Sequence, residues 1–116
     1  MLIIITEFRK GILFVRLKGV LNDKTTYLLK NKVTSLVKEN GIMNLVINLT
    51  DLKKIDLKGI SELFINYCIM NKYSGKSYLC GINEKINNII RNSKILNYIP
   101  EVNDELNAMR VIKWSS

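Results

Sequence analysis

The stretch NLVINLTDLKKIDLKG, residues 44–59, decides the reading of this chain. Leu45, Val46, Ile47 and Leu49 make a short apolar run that predicts a buried strand. Thr50-Asp51 breaks the run, and Leu52 and Ile55 anchor the loop that follows. Asp56 then stands where a helix N-cap is needed, its carboxylate free to accept a backbone N–H of the first turn. From Gly59 onward Ile60, Leu63, Phe64, Tyr67 and Cys68 recur at i, i+3, i+4, i+7 and i+8, one face of an amphipathic helix. A strand, a loop and a helix whose first N–H groups point back at the loop make a potential anion or phosphate site.

Working outward, the apolar start MLIIITEFRK predicts a first strand over 2–8, and Gly11 makes a tight link to a second over 12–18. A helix over 24–39 follows, capped by Asn22 or Asp23, with Leu29, Val33, Leu36 and Val37 on one face and Asn40-Gly41 at its end. After the strand at 44–49 and the helix at 58–72, the pattern predicts a strand at 77–82 and a helix at 84–93. A short strand near 98–102 and a helix at 104–112 close the chain. Pro100 falls between elements, where its missing N–H does least harm. Strands alternating with helices after an initial hairpin predict an α/β domain with a mixed β-sheet of four to five strands and helices packed mainly on one face. The expectation is one domain over 1–116, a length that can bury a single core.

The segment around residue 58 resembles the STAS domains (sulfate transporter and anti-sigma factor antagonist), and most of all the bacterial anti-sigma factor antagonists. Members carry a hydrophobic strand, a loop, and then Asp-Ser-Ser-Gly or Asp-Ser-Thr-Gly opening a helix. Asp56 and Gly59 match that motif, Leu57 takes the first serine's place, and Lys58 takes the place of the phosphoacceptor. GVLNDKTTYLLKNKV (19–33) is similar to the family's strand end, turn and first helix, with Asn22 for its aspartate and Thr25 for its threonine. SYLCGINEKINNIIRNSKILNYI (77–99) and NDELNAMRVI (103–112) resemble its fourth strand, third helix and closing helix.

The resemblance implies a STAS-like fold and a cytoplasmic protein-binding regulator that docks on a kinase-type anti-sigma factor and relieves sigma-factor inhibition. Other STAS proteins are further partners it implies. The implied contact surface comprises Asn22, Asp23 and Thr25 in the first turn, and Lys53, Lys54, Asp56, Leu57, Lys58, Gly59, Ser61 and Glu62 around the start of the second helix. A phosphoryl group at the family's serine adds about −1.5 to −2 charges. Lys58 has no hydroxyl and the opposite sign, so the usual switch is absent; Ser61, one turn on, is a displaced candidate acceptor. The alternative is a STAS scaffold or accessory subunit of a signalling assembly or a lipid or anion transport system.

Composition narrows the remaining classes. The net charge of +8 comes from fourteen lysines and four arginines. These are scattered, with Lys10, Lys18, Lys30, Lys38, Lys72, Lys85, Lys94 and Lys113 forming no single stripe. Nucleic-acid binders cluster basic residues with aromatics on one face, so a solvated surface is expected and no nucleic-acid partner. The local cluster is Lys53, Lys54 and Lys58, offset by Asp51 and Asp56. With no histidine and no paired cysteine spacing, no metal site is expected, and Cys68 and Cys80 read as buried small hydrophobes. A phosphate-cradling glycine loop and a nucleophile–histidine pair are both missing, so neither catalysis nor a cofactor is expected. Ser61 and Glu62 read as first-turn residues complementing the helix dipole. No apolar run approaches the roughly 20 residues of a membrane span.

Overall fold

The computed structural model describes residues 1–112, so Lys113 of the scattered lysines lies outside the described residues. The chain opens on an antiparallel hairpin of β1 (Leu2–Arg9) and β2 (Ile12–Leu21). Lys10 and Gly11, both at positive φ, form the two-residue turn whose twist matches that of the flanking strands. The strands β3 (Asn44–Ile55) and β4 (Lys76–Cys80) then add in parallel, giving a four-stranded mixed sheet in the order β1-β2-β3-β4. The expected fifth strand near 98–102 is reduced to a single bridge between Leu79 and Glu101.

Alternation along the strands sorts the core into two layers. Leu13, Val15 and Leu17 with Leu45, Ile47 and Leu49 face one way and meet Leu29, Val33, Leu63, Met70 and Ile90. These, with Val37, belong to α1 (Thr26–Leu29), α2 (Ser35–Asn40) and the π-helical turn Lys30–Thr34 that joins them, to α3 (Leu57–Lys72) and to α4 (Asn87–Asn92). Ile12, Phe14, Val46 and Cys80 face the other way and are covered by Ala108 of α5 (Glu105–Val111) and by Ile112. The fold is the α/β arrangement expected, with α5 the one helix on the second face among the described residues.

Four local expectations are corrected. Thr50-Asp51 does not break β3: Asp51, Leu52, Lys54 and Ile55 continue to pair with Lys18, Gly19, Val20 and Leu21 across register shifts. The polar residues there line the solvent side, so a broken apolar run coexists with an unbroken ladder. The first long helix contains the π-helical turn Lys30–Thr34, and its N-cap is Thr25 rather than Asn22 or Asp23. The helix expected at 84–93 is regular over Asn87–Asn92. Finally, Cys68 is exposed, because the buried arc of α3 runs through Gly59, Leu63, Asn66 and Met70. Cys80 is buried, and burial pushes its thiol pKa up to about 12, so it packs as an inert hydrophobe.

Candidate functional site

At the C-terminal ends of β2 and β3 two turns are tied into one rim. The first is built on Thr25, whose buried hydroxyl donates to the Val20 carbonyl (2.8 Å) and accepts from the Asn22 N–H (2.9 Å). The Asn22 side chain accepts from the Lys24 N–H at 2.9 Å, an Asx turn that satisfies the chain before the helix begins. The second turn is built on Asp56. One oxygen of its carboxylate accepts from the Gly59 N–H (2.8 Å), which caps α3, and the other accepts from the Asp23 N–H (3.2 Å). The Asp56 N–H donates to the Leu21 carbonyl at 3.2 Å.

Gly59 explains why these turns can approach so closely. A Cβ built there would lie 2.5 Å from the Leu21 carbonyl oxygen and 2.7 Å from Cγ1 of Ile55. No side chain fits without moving backbone, so the start of α3 rests directly on the end of β2. Leu57 and Lys58, the first two residues of α3, are exposed on this rim; Leu57 is 72% accessible. The helix start is not an open anion site in the simple sense, since Asp56 already occupies the Gly59 N–H and its carbonyl takes that of Ile60.

The rim therefore brings together Asn22, Asp23, Thr25, Asp56, Leu57, Lys58 and Gly59. Ser61 is exposed one turn along α3. Lys53 and Lys54 are exposed but belong to strand β3 rather than to a loop. Lys53 lines an open pocket of about 450 Å³ with Lys18, Asp51, Asn83 and Lys85. Glu62 departs furthest from expectation. It lies beyond the first turn of α3, is 95% buried, and so presents no carboxylate to the helix N-terminus or to a partner. Burial raises its pKa, with Lys30 acting in the opposite direction.

Two polar devices escaped the sequence. The side-chain amide of Asn83 clamps the extended part of β3, donating to the carbonyls of Leu49, Thr50 and Leu52 at 3.0, 3.1 and 2.8 Å. On the second face, Arg16 of β2 donates to both oxygens of Glu105 (2.8 and 2.7 Å) and to Glu7 (2.8 Å), while Asn48 of β3 donates to Glu105 at 2.8 Å. Hydrogen bonds from Arg16 hold the Glu105 carboxyl below the usual range, and Arg16 is held charged in return. The signal was the outward position shared by Arg16 and Asn48, which are register partners. Their acid lies far off in sequence.

The family model for the STAS domain matches residues 4–109. The chain belongs to the STAS domain family. It is 24% identical over 103 residues to the anti-sigma F factor antagonist of Paenibacillus polymyxa, covering 89% of this chain and 88% of that one. The fold is that of an anti-sigma factor antagonist from Mycobacterium paratuberculosis, with a TM-score of 0.86 at 17% identity over 97% of this chain and 94% of the other. The Bacillus cell fate determinant SpoIIAA in its phosphorylated form also superposes, with a TM-score of 0.74 at 14% identity over 95% of this chain and all of that one. This STAS chain has, among its described residues, no helix long and apolar enough to cross a membrane.

Proposed function

We propose that this STAS protein acts as an anti-sigma factor antagonist: it docks on a kinase-type anti-sigma factor through the rim of Asn22, Asp23, Asp56, Leu57 and Lys58 and frees the sigma factor. It works by binding rather than by catalysis, in the cytoplasm. The observation that carries the reading is the joint at Asp56, where one carboxylate holds the β2–α1 turn and the first turn of α3 in a fixed relation. A surface made of two turns so coupled is presented without ordering cost, which favours recognition by shape. Relatedness to a protein named as an anti-sigma F factor antagonist supplies the class of partner.

Lys58 makes the binder constitutive. It stands where the family's phosphoacceptor stands, has no hydroxyl, and puts a cation where a phosphoryl group would place negative charge. Incubation with a kinase-type anti-sigma factor and ATP leaves this position unmodified, and binding measured by calorimetry needs no phosphatase. Lys58→Ser restores modification at that position if the docking surface is the family's. Phosphate found on Ser61 of the wild-type protein overturns the claim of a lost switch. Failure of the two proteins to bind at all overturns the proposed partner class.

A further inference from the structure

The free edge of β1 carries a built groove that no part of the rim uses. Met1 pairs through its carbonyl with the Val20 N–H, which fixes the phase of the antiparallel ladder. Residues 3, 5 and 7 therefore spend their backbone groups on β2, and Leu2, Ile4, Thr6 and Phe8 point theirs away from the sheet. Lys32 confirms the phase independently: its ammonium donates to the outward Ile4 carbonyl at 2.8 Å. Because β1 ends the sheet, the other outward groups have no strand beside them among the described residues.

The same edge is walled by the helical arm Thr26–Asn40. Two apolar pockets lie between strand and arm. One, of about 370 Å³, is lined by Leu2, Ile4, Leu28, Asn31 and Lys32. The other, of about 340 Å³, is lined by Phe8, Leu13, Leu36, Asn40 and Ile42. Ile4 to Phe8 spans about 13 Å of strand, and Leu28 to Leu36 about 12 Å of helix, so the pockets repeat in step along both walls. A lysine can merely blunt a strand edge against aggregation. Such a guard needs no pockets, whereas strand addition needs both open backbone groups and sockets for alternate side chains.

We propose that the β1 edge binds an extended segment of a partner protein as a fifth strand. The segment has apolar side chains at positions i and i+4 for the two pockets and an aspartate or glutamate at i+2. Charge selects the middle residue. It faces the arm just past the first pocket, whose lining includes the Lys32 cation, and a carboxylate there takes over the ammonium that now spends itself on the Ile4 carbonyl. That carbonyl is then released to the incoming N–H. Lys32 thus holds the edge closed to neutral or basic strands and open to an acid-centred one.

The test uses fluorescent synthetic peptides of alternating threonine and leucine with one central glutamate, titrated into the full-length protein and followed by anisotropy. Binding tightens on the order of tenfold over the same peptide with a central lysine, as expected when like charges are set side by side in a contact. Lys32→Glu reverses that order. N-methylating the amides along one edge of the glutamate peptide abolishes binding, while N-methylating the opposite edge does not. Hydrogen exchange slows at Thr6 and Phe8. Any of these results overturns the proposal: no binding of the glutamate peptide at millimolar concentration, no preference between the two charges, no reversal by Lys32→Glu, equal tolerance of both N-methylated edges, or protection at Leu57–Ser61 in place of β1. Protection of Thr6 and Phe8 that grows with protein concentration and without peptide also overturns it, since a second copy then fills the edge.

Discussion

Glu62 and Glu105 sit on opposite sides of the sheet, and the protein treats them in opposite ways. Glu105, at the start of α5, accepts hydrogen bonds from Arg16 and Asn48, and its pKa falls. Glu62, in the second turn of α3, is buried against the helical arm with Oε2 unpartnered among the described residues, and its pKa rises. Nearby, the Thr34 hydroxyl donates to the Asn66 side chain (3.0 Å), whose amide donates to the Glu62 backbone carbonyl (3.0 Å), leaving the carboxylate out of the network. The lesson is that burial alone does not fix the contribution of a charge. A carboxylate with matched donors stabilises the fold when ionised, and one without them costs free energy when ionised.

The largest expected effect asks whether packing outweighs charge on the α3 side. Leu63 adjoins Glu62 in sequence and is fully buried in the larger core cluster. Leu63→Ala is expected to cost about 2–5 kcal/mol in urea unfolding, the lost transfer energy plus the cavity left behind. A loss below about 1 kcal/mol would mean that α3 packs on the sheet less closely than its burial implies.

Next comes the paired acid. Arg16→Met removes the donors to Glu105 and Glu7 while keeping an apolar stem on the strand. The cost at neutral pH is about 1–3 kcal/mol, at the low end because the Arg16 side chain is about a third exposed and water screens it. The sign of the pH dependence follows from the direction of the shift. The folded pKa of Glu105 lies below its unfolded value, so its contribution is present above that unfolded value and is lost as pH falls through the folded one. Wild type therefore weakens in acid more steeply than Arg16→Met. Parallel acid limbs in the two unfolding series would remove Glu105 from the account.

Glu62→Gln tests the other half of the comparison, with opposite sign. The folded pKa of Glu62 lies above its unfolded value, so the protonated side chain suits the fold, and stability is lost as pH rises through the folded value. Substitution by Gln removes that loss. It should raise stability at pH 7 by roughly 1 kcal/mol, the lower end for relieving a buried unsatisfied group, and change little at pH 4. Destabilisation at pH 7 would show that ionised Glu62 has a partner in solution, with Lys30 the nearest candidate.

This pair of acids also marks where sequence reading works and where it stops. The Asp56 cap follows from a local rule, since a cap residue and the N–H it accepts lie three positions apart, whereas the close approach of Gly59 to Leu21 is a contact between distant parts of the chain. The layers of the sheet follow from alternation. The extension of β3 to Ile55 was hidden because its outward residues are polar and its pairing depends on β2. Glu62 reads from the sequence as a first-turn residue beside the helix dipole, and Asn66 falls outside the apolar face of Ile60, Leu63, Phe64, Tyr67 and Cys68, since polar residues rarely enter a core. Their burial follows from the packing of α3 against the helical arm, where Thr34 meets Asn66, which no residue of α3 encodes alone. Glu105 and Arg16 are separated by 89 positions, beyond any local pattern.

The smallest effect on the fold comes from adding an acid where solvent is available, at the exposed start of α3. Lys58→Glu exchanges a cation at a helix N-terminus for an anion, which the dipole favours by about 0.3–1 kcal/mol. Fold stability at neutral pH thus rises slightly or holds. Binding to the proposed anti-sigma factor should nevertheless fall, because the new charge has the sign and position of a phosphoryl group on the family's serine. Lys94→Glu, beyond α4 and away from the rim, makes the same change in net charge and serves as the control. Association rates measured at one salt concentration should drop for Lys58→Glu and stay near wild type for Lys94→Glu, since charge at a contact acts mainly on the encounter. Equal drops for both variants would mean that total charge steers the partner and that the Asp56 rim is not where it lands.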